Sequence, residues 1–275
     1  MPAISVITAC YNHGKYIHEM IGSVLNQTFQ DFEIIIVNDG STDNTREILD
    51  EINNEKIRVI HSEHKGPSHA RNVAISNSRS EIIFNLDADD KIAENLFEIA
   101  YLIFQAQPNV GIVYSETRFF GSRNGIMRLG EFNPERMLKS NQIVSAAFFR
   151  KEDWHRCGGY SEECEYGLED WDLWLSIIEL GREVVKIPET LVSIRSIQSM
   201  KDSRSGLRKS ERLKSLGSVD LVFKRHQELY SLHPKIYGTL NHEIEKRKKE
   251  GHMERLLRNR IFNIKQRINI IVNCF

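Results

Sequence analysis

The sequence predicts an α/β fold, a mixed and mostly parallel sheet flanked by helices, with a helical extension at its C-terminal end. Three observations predict it. Short β-branched runs alternate with amphipathic stretches from residue 4 to about residue 194. Turn and capping residues gather where those runs end, as they do where strands of a parallel sheet feed helices. After about residue 200 the strand signal stops and the charge changes sign. Residues 201–275 hold 18 Lys and Arg against 8 Asp and Glu, whereas residues 1–200 hold 19 against 30, so a net charge of -1 conceals an acidic body and a basic extension.

Ile4-Ser5-Val6-Ile7-Thr8 reads as a buried strand, and Ile17, Met20, Ile21, Val24 and Leu25 follow at helical spacing. Phe32–Val37 is a second strand, stopped by Asn38-Asp39-Gly40-Ser41-Thr42-Asp43, which opens a helix through Ile48-Leu49. The alternation continues with a strand at Ile57–His61, a helix from about Ser68 to Ser76 and a strand at Ile82–Leu86. A helix follows through Leu96, Ile99 and Ile103, ending before Pro108. Gly111–Thr117 reads as a strand, residues 118–140 as a loop over the crevice, and Ile143–Phe149 as a further strand. Leu168, Trp171, Leu175 and Ile178 form one helical stripe that Gly181 ends, and two short strands, Glu183–Ile187 and Leu191–Ile194, complete the body.

A chain of 275 residues, 40% hydrophobic and 27% charged, can bury one sizeable core and carry an appendage. No run approaches the roughly 18 apolar residues of a membrane-spanning helix. The N-terminus moves from Met1-Pro2 into a strand without a basic and then apolar leader, so the cytoplasm is the expected compartment. Cys10, Cys157, Cys164 and Cys274 have neither C-x-x-C spacing nor the density of a disulfide framework and are expected as reduced thiols.

The chemistry concentrates at Phe84-Asn85-Leu86-Asp87-Ala88-Asp89-Asp90, an apolar strand ending in three nearly adjacent carboxylates. Like charges that close repel unless a cation joins them. A hard cation such as Mg²⁺ or Mn²⁺ takes one or two protein carboxylates and completes its shell with water and phosphate oxygens, which makes a phosphate-handling site the sharp reading. The bland one is that Asp87 and Asp89 are solvated and Asp90 caps a following helix. Glu169 and Asp170 open another helix, where the macrodipole should keep Asp170 ionised near neutral pH as a general base, or where both merely cap. Trp171 and Trp174 are core residues or the border of a sugar pocket. In an open α/β sheet the loops at Ala9–Tyr11, Asn38–Asp43 and Asp87–Asp90 should converge at the carboxyl ends of their strands.

Six motifs then stand in one order: Ser5–Asn12, Ser23-Val24-Leu25-Asn26-Gln27-Thr28, Val37–Asp43, Gly66-Pro67-Ser68-His69-Ala70-Arg71-Asn72, Asp87–Asp90 and Glu169-Asp170-Trp171-Asp172-Leu173-Trp174. Over roughly residues 3–195 the chain closely resembles family 2 glycosyltransferases of the GT-A fold. That resemblance implies a catalytic domain over residues 1–200, its nucleotide-binding half about 1–115 and its acceptor-side half about 116–200, followed by the basic extension 201–275. It implies an inverting, metal-dependent enzyme. Asp170 would deprotonate the acceptor hydroxyl, with Glu169 orienting Asp170 or the sugar hydroxyls. Tyr11 and the Ala9 backbone would flank the base of a nucleoside-diphosphate sugar, a UDP-sugar by family habit, and Asp39 would hydrogen-bond the base edge. Arg71 would lie beside the nucleotide, Asp87 would face ribose or sugar, and Asp89 would be the principal ligand of Mn²⁺ or Mg²⁺, with Asp90 a second ligand or a cap. The expected acceptor is a saccharide or lipid-linked hydroxyl in cell-surface polysaccharide synthesis.

Three departures qualify the resemblance. Asn38-Asp39 stands where many relatives have two acidic residues, and Ala9-Cys10 where many have Pro-Thr. The usual Tyr-Arg-x-His element is degenerate in Ser193–Ser199, so if its histidine holds the diphosphate or metal in relatives, Arg195 or a residue of the extension would have to replace it, or activity is weaker. The rival readings are a sugar nucleotidyltransferase, disfavoured because residues 8–16 offer only Gly14 and Lys15 for a triphosphate loop, and a catalytically silent nucleotide-sugar binding module. The stretch from Lys246 to Val272 reads as basic amphipathic helix, suited to an anionic membrane surface or, equally, to a lid or dimer contact. Flotation with anionic liposomes, with and without residues 251–275, separates the two. No nucleic-acid reader motif accompanies the basic stretch.

Overall fold

The computed structural model describes residues 1–164, 167–197, 218–242, 244–246 and 249. Its contacts divide the chain into Met1–Leu207 and Arg208–Phe275.

In the first unit, β1 (Ile4–Cys10), α1 (Gly14–Leu25), β2 (Phe32–Asp39), α2 (Thr45–Asp50), β3 (Ile57–Ser62), α3 (Pro67–Ser76) and β4 (Ile82–Asn85) follow one another as the sequence predicts. β2 is buried along its whole length, which is why its apolar run Ile34–Val37 shows no alternation. After β4 come β5 (Lys91–Ile92), α4 (Leu96–Ala106), β6 (Val110–Gly121), β7 (Gly125–Met127), α5 (Pro134–Met137), β8 (Phe148–Arg150), α6 (Lys151–Arg156), α7 (Glu169–Glu179) and β9 (Glu183–Ser196). The sheet order is β3-β2-β1-β4-β8-β6-β9-β5, with β7 paired to β6. β1 pairs in parallel with both β2 and β4, so the chain reverses its direction of sheet growth there and opens a crevice at their carboxyl ends. β8 runs antiparallel between β4 and β6, while β6 and β9 are parallel.

Phe84 of β4 and Phe148 of β8 stack at 4.2 Å between ring centroids, and Phe97 of α4 meets their edges at 5.6 and 5.8 Å. All three are buried. Each such ring removed from water contributes about 2–3 kcal/mol, which ties the parallel strands to the antiparallel ones.

Several expectations are corrected. The segment 118–140 is not a loop throughout, because β6 continues to Gly121 and turns back through β7 against Thr117–Phe119. The strand expected over 143–149 is confined to Phe148–Arg150. The two strands expected between 183 and 194 are one, with Pro188 and Glu189 bulged out between the partners Ser115–Ile187 and Glu116–Thr190, since proline cannot donate to a ladder. Asp90 caps no helix: β5 follows it, and α4 starts only after Asn95.

Cys10 and Cys157 are free thiols, and burial pushes both up to about 12. Cys274 lies outside the described residues. In the second unit α8 (Gln227–Ser231) carries Tyr230, whose ring is 4.9 Å from Phe223, and Tyr237 lies 5.2 Å from the same ring. Among the described residues no helix is long and apolar enough to cross a membrane. The basic stretch from Lys246 to Val272, read as suited to a membrane surface or equally to a lid or dimer contact, lies outside the described residues apart from Lys246 and Lys249.

Candidate active site

The loops leaving β1 and β2 are stapled together by Asn12, a non-glycine residue in the left-handed region (φ 57) that asparagine tolerates better than most. Its Oδ1 accepts the backbone N–H groups of Thr42 at 2.8 Å and Asp43 at 3.3 Å, and its own N–H donates to Ser41 Oγ. Gly40 (φ +65) has no alternative, since a Cβ there would sit 2.6 Å from the His64 nitrogen. Asp39, at the end of β2, accepts the backbone N–H groups of Lys65 and Gly66, each at 2.9 Å, and lies 2.9 Å from His64 Nδ1. Both oxygens of the residue expected at the base edge therefore hold the loop that starts α3. The exposed Tyr11 ring stacks on the His64 imidazole at 4.2 Å. His64, unremarked in the sequence, joins Tyr11 and Asp39 into one patch beside the partly buried Ala9.

α3 delivers Arg71 into the crevice floor, with its side chain only 6% exposed. Nη2 donates to Asp87 Oδ1 at 2.9 Å, Nη1 to Glu169 Oε1 at 2.6 Å, and the guanidinium lies 5.4 Å from the Tyr160 ring centre. One side chain thus joins the turn after β4 to the start of α7, residues 82 positions apart in the chain. Burial works against both charges of the Arg71–Asp87 pair, yet each holds the other ionised: Arg71 is raised above its ordinary value and Asp87, also bonded by Ser145 Oγ at 3.0 Å, is held below the carboxylate range. Arg71, expected beside the nucleotide, is committed to carboxylates.

Asp89 and Asp90 have no guanidinium on their oxygens. Burial raises Asp89, His13 opposing and Asp87 adding to it, and burial with the charges of Asp87 and Asp89 raises Asp90 well above its ordinary value. Asp90 accepts the Arg195 backbone N–H at 2.8 Å, and Arg195 Nε donates to the Asp89 carbonyl at 3.0 Å. The Arg195 guanidinium is sandwiched 4.4 Å from both the Tyr16 and Phe120 rings and 3.0 Å from Glu19. It buttresses the Asp89 backbone rather than reaching the carboxylates. His13, from the loop before α1, is the imidazole within electrostatic reach of Asp89.

Among the described residues no three His, Cys, Asp or Glu side chains close around one point. The donors still fit a hard cation of the Mn²⁺ or Mg²⁺ type, which needs one or two protein carboxylates, and crowded carboxyls pushed upward are those a cation would relieve.

α7 starts after Leu168, held in the left-handed region at φ 74, a strained position for a branched side chain that aims the next two carboxylates into the crevice. Glu169 turns to Arg71. Asp170, partly buried, accepts the Trp171 N–H on Oδ1 at 2.7 Å and the Asn141 amide on Oδ2 at 3.0 Å. Its carboxyl is pushed up to about 7, first by burial and then by the neighbouring Glu169 charge, with Arg71 opposing. The expectation that the helix start keeps Asp170 ionised is corrected: loss of hydration and a like charge outweigh the helix end. Such a group exchanges protons near neutrality, as a general base should. Trp171 and Trp174 are core residues: Trp174 is fully buried, and Trp171 is 6% exposed with Nε1 on the Met137 carbonyl at 2.8 Å.

Asp87, Arg71, Glu169 and Asp170 are therefore one cluster, with Asp89 and Asp90 continuing from Asp87 along the chain, and Tyr11 and Asp39 on the loops of β1 and β2. Asn141 and Ser145 carry no signal in the sequence, because a polar residue away from any motif shows its role only once its partner is known.

The sequence profile of glycosyl transferase family 2 matches residues 5–161. The chain is 30% identical over 188 residues to a chondroitin synthase of Pasteurella multocida, covering 66% of this chain and 19% of that one, so it spans about a fifth of that relative's length. Its fold is shared with S. aureus TarS 1-349 in complex with UDP, at a TM-score of 0.61 and 20% identity over 84% of this chain and 75% of that one. A mannosyltransferase of Pyrobaculum calidifontis in complex with GDP-Man and Mn2+ gives a TM-score of 0.58 at 20% identity, over 87% and 73%.

Proposed function

The chain belongs to glycosyl transferase family 2, and from that premise we propose that it is an inverting, metal-dependent transferase that moves a sugar from a UDP-sugar to a hydroxyl of a saccharide or lipid-linked acceptor in cell-surface polysaccharide synthesis. The observation that carries the reading is Asp170, a carboxyl poised at about 7 and bound by Asn141, beside a buried Arg71 that joins Glu169 to the Asp87 turn.

Asp170 takes the acceptor O–H proton as that oxygen attacks the anomeric carbon, and the bond from carbon to the diphosphate breaks with its electron pair leaving on the diphosphate. Because attack and departure lie on opposite faces, the configuration inverts. Glu169 stays paired with Arg71, so its charge raises the proton affinity of Asp170 without competing for the proton. Asp87, ionised against Arg71, keeps Oδ2 towards Ser145 and offers the sugar or ribose a fixed acceptor. Tyr11 gives the base an exposed aromatic face beside Asp39 and the Ala9 backbone. Asp89 and Asp90 would hold Mn²⁺ or Mg²⁺, which when bound neutralises charge on the departing diphosphate. The UDP complex of TarS and the GDP-Man and Mn2+ complex of the Pyrobaculum enzyme support a nucleotide-sugar donor and a divalent ion.

A panel of UDP- and GDP-sugars, with and without Mn²⁺, tests the reading through release of nucleoside diphosphate. Turnover should require the metal, and Asp89→Ala should abolish the Mn²⁺-dependent part of donor binding. Tight donor binding without turnover in the presence of mixed saccharide acceptors would make the chain a silent binding module.

A further inference from the structure

The segment between α5 and β8 is a strap fastened from both sides of the crevice. Trp171 Nε1 holds its start at the Met137 carbonyl. Gln142 Nε2 donates to the Asn133 carbonyl at 2.6 Å, and Asn85 Nδ2 of β4 donates to the Ser145 carbonyl at 3.0 Å. Ser145 Oγ reaches Asp87. Between these anchors stands Asn141, whose Oδ1 accepts the Ile143 N–H at 3.1 Å while its Nδ2 donates to Asp170 Oδ2 at 3.0 Å. The amide cannot face the other way, because a flip would set oxygen against a carboxylate and N–H against N–H.

We propose that Asn141 is the positioning residue of Asp170, fixing its carboxylate rotamer and favouring the ionised form of the group that removes the acceptor proton. With Oδ1 on the Trp171 N–H and Oδ2 on Asn141, the carboxylate cannot rotate, and each oxygen keeps a free lone pair. An N–H donated to a carboxylate favours its charged form, opposing the upward push of burial, of Glu169 on the same helix and of Asp87 from the turn after β4. Arg71 of α3 acts in the same direction as Asn141, and Tyr160 is a further titratable group within reach. The proposal rests on Asp170 being the base.

The test is a titration of the full chain labelled with ¹³C-carboxyl aspartate, where the signal lost in Asp170→Asn identifies that carboxyl. Asn141→Leu removes the donor and should move the midpoint up by about one pH unit, and Asn141→Asp, of equal size but adding a like charge, should move it further. With the sugar nucleotide that the panel finds to turn over, kcat at about pH 6.5 should fall about tenfold in Asn141→Leu, following the shifted midpoint, and recover by about pH 9. The Michaelis constant for the donor should be unchanged. A midpoint that stays in place in both variants overturns the proposal, and if the leucine variant does not fold, the aspartate variant decides. Turnover retained in Asp170→Asn defeats the base itself and the proposal with it. An inactive Asp170→Asn with unmoved midpoints defeats Asn141 alone.

Discussion

The turn after β4 and the start of α7 each bring neighbouring carboxylates into the same crevice, and one guanidinium divides itself between them. Arg71 neutralises Asp87 in the first cluster and Glu169 in the second. The members left over, Asp89 and Asp90 on one side and Asp170 on the other, are the ones whose proton affinity rises. The difference lies in the neighbours. Asp89 is pushed by Asp87, and Asp90 by both Asp87 and Asp89, with no guanidinium bonded to either side chain, which suits a cation, whereas the charges of Glu169 and Asp87 on Asp170 are opposed by Arg71 and its two oxygens each hold an N–H donor, which suits a proton. A pairing that looks structural therefore selects which carboxylates remain free for chemistry.

The comparison can be broken most severely at the proton side. Asp170→Asn should lower kcat by about 10³-fold while leaving the donor dissociation constant within a few-fold, measured by nucleoside diphosphate release and by calorimetry. Equal losses in affinity for Asp170→Asn and Asp89→Ala would erase the division between the two clusters. Next in size, Arg71→Met should cost about 3 kcal/mol of unfolding free energy, because it strands two carboxylates together in the floor of the crevice. Urea unfolding reads this, and a change within error would mean that the pairing does not hold the clusters together.

A smaller effect has the opposite sign. Asp170 has a folded-state value near 7 against an ordinary value of 3.8, so between those limits the unfolded chain releases a proton that the folded chain keeps. Stability is lost as pH rises through that window and the penalty is complete above about 7. Asp170→Asn escapes it and should be more stable than the parent by about 2 kcal/mol at about pH 8, allowing for partial exposure, with no gain at about pH 4. Thermal unfolding at the two pH values checks the sign. Smallest of all, Trp171→Phe should cost about 1 kcal/mol through the lost bond to Met137, with a shift in the Asp170 titration only if the strap loosens.

Much of residues 1–115 was legible because their signals are local. The fully buried β2 reads as a strand through its β-branched Ile34–Val37, and Gly40 declares its turn by residue type. Residues 116–200 were read less well. Two strands were expected between 183 and 194, yet a bulge at Pro188 and Glu189 lets one strand pass, and the three-residue β8 lacks enough length to show a period. Asp90 looked like a helix cap because an aspartate before an apolar run usually is one, but the next two residues pair with β9.

By itself the sequence determined the alternation of strands and helices, the crevice at the carboxyl ends of β1, β2 and β4, and which carboxylates stand at element ends, since each depends on residues within a few positions of one another. Only the tertiary structure decided which carboxylate is neutralised, that Arg195 braces a backbone while Arg71 bridges two clusters, and that Asn141 reaches Asp170. Proton affinity depends on burial and on charges from other elements, and those distances are fixed only when the sheet has closed and the strap has crossed it.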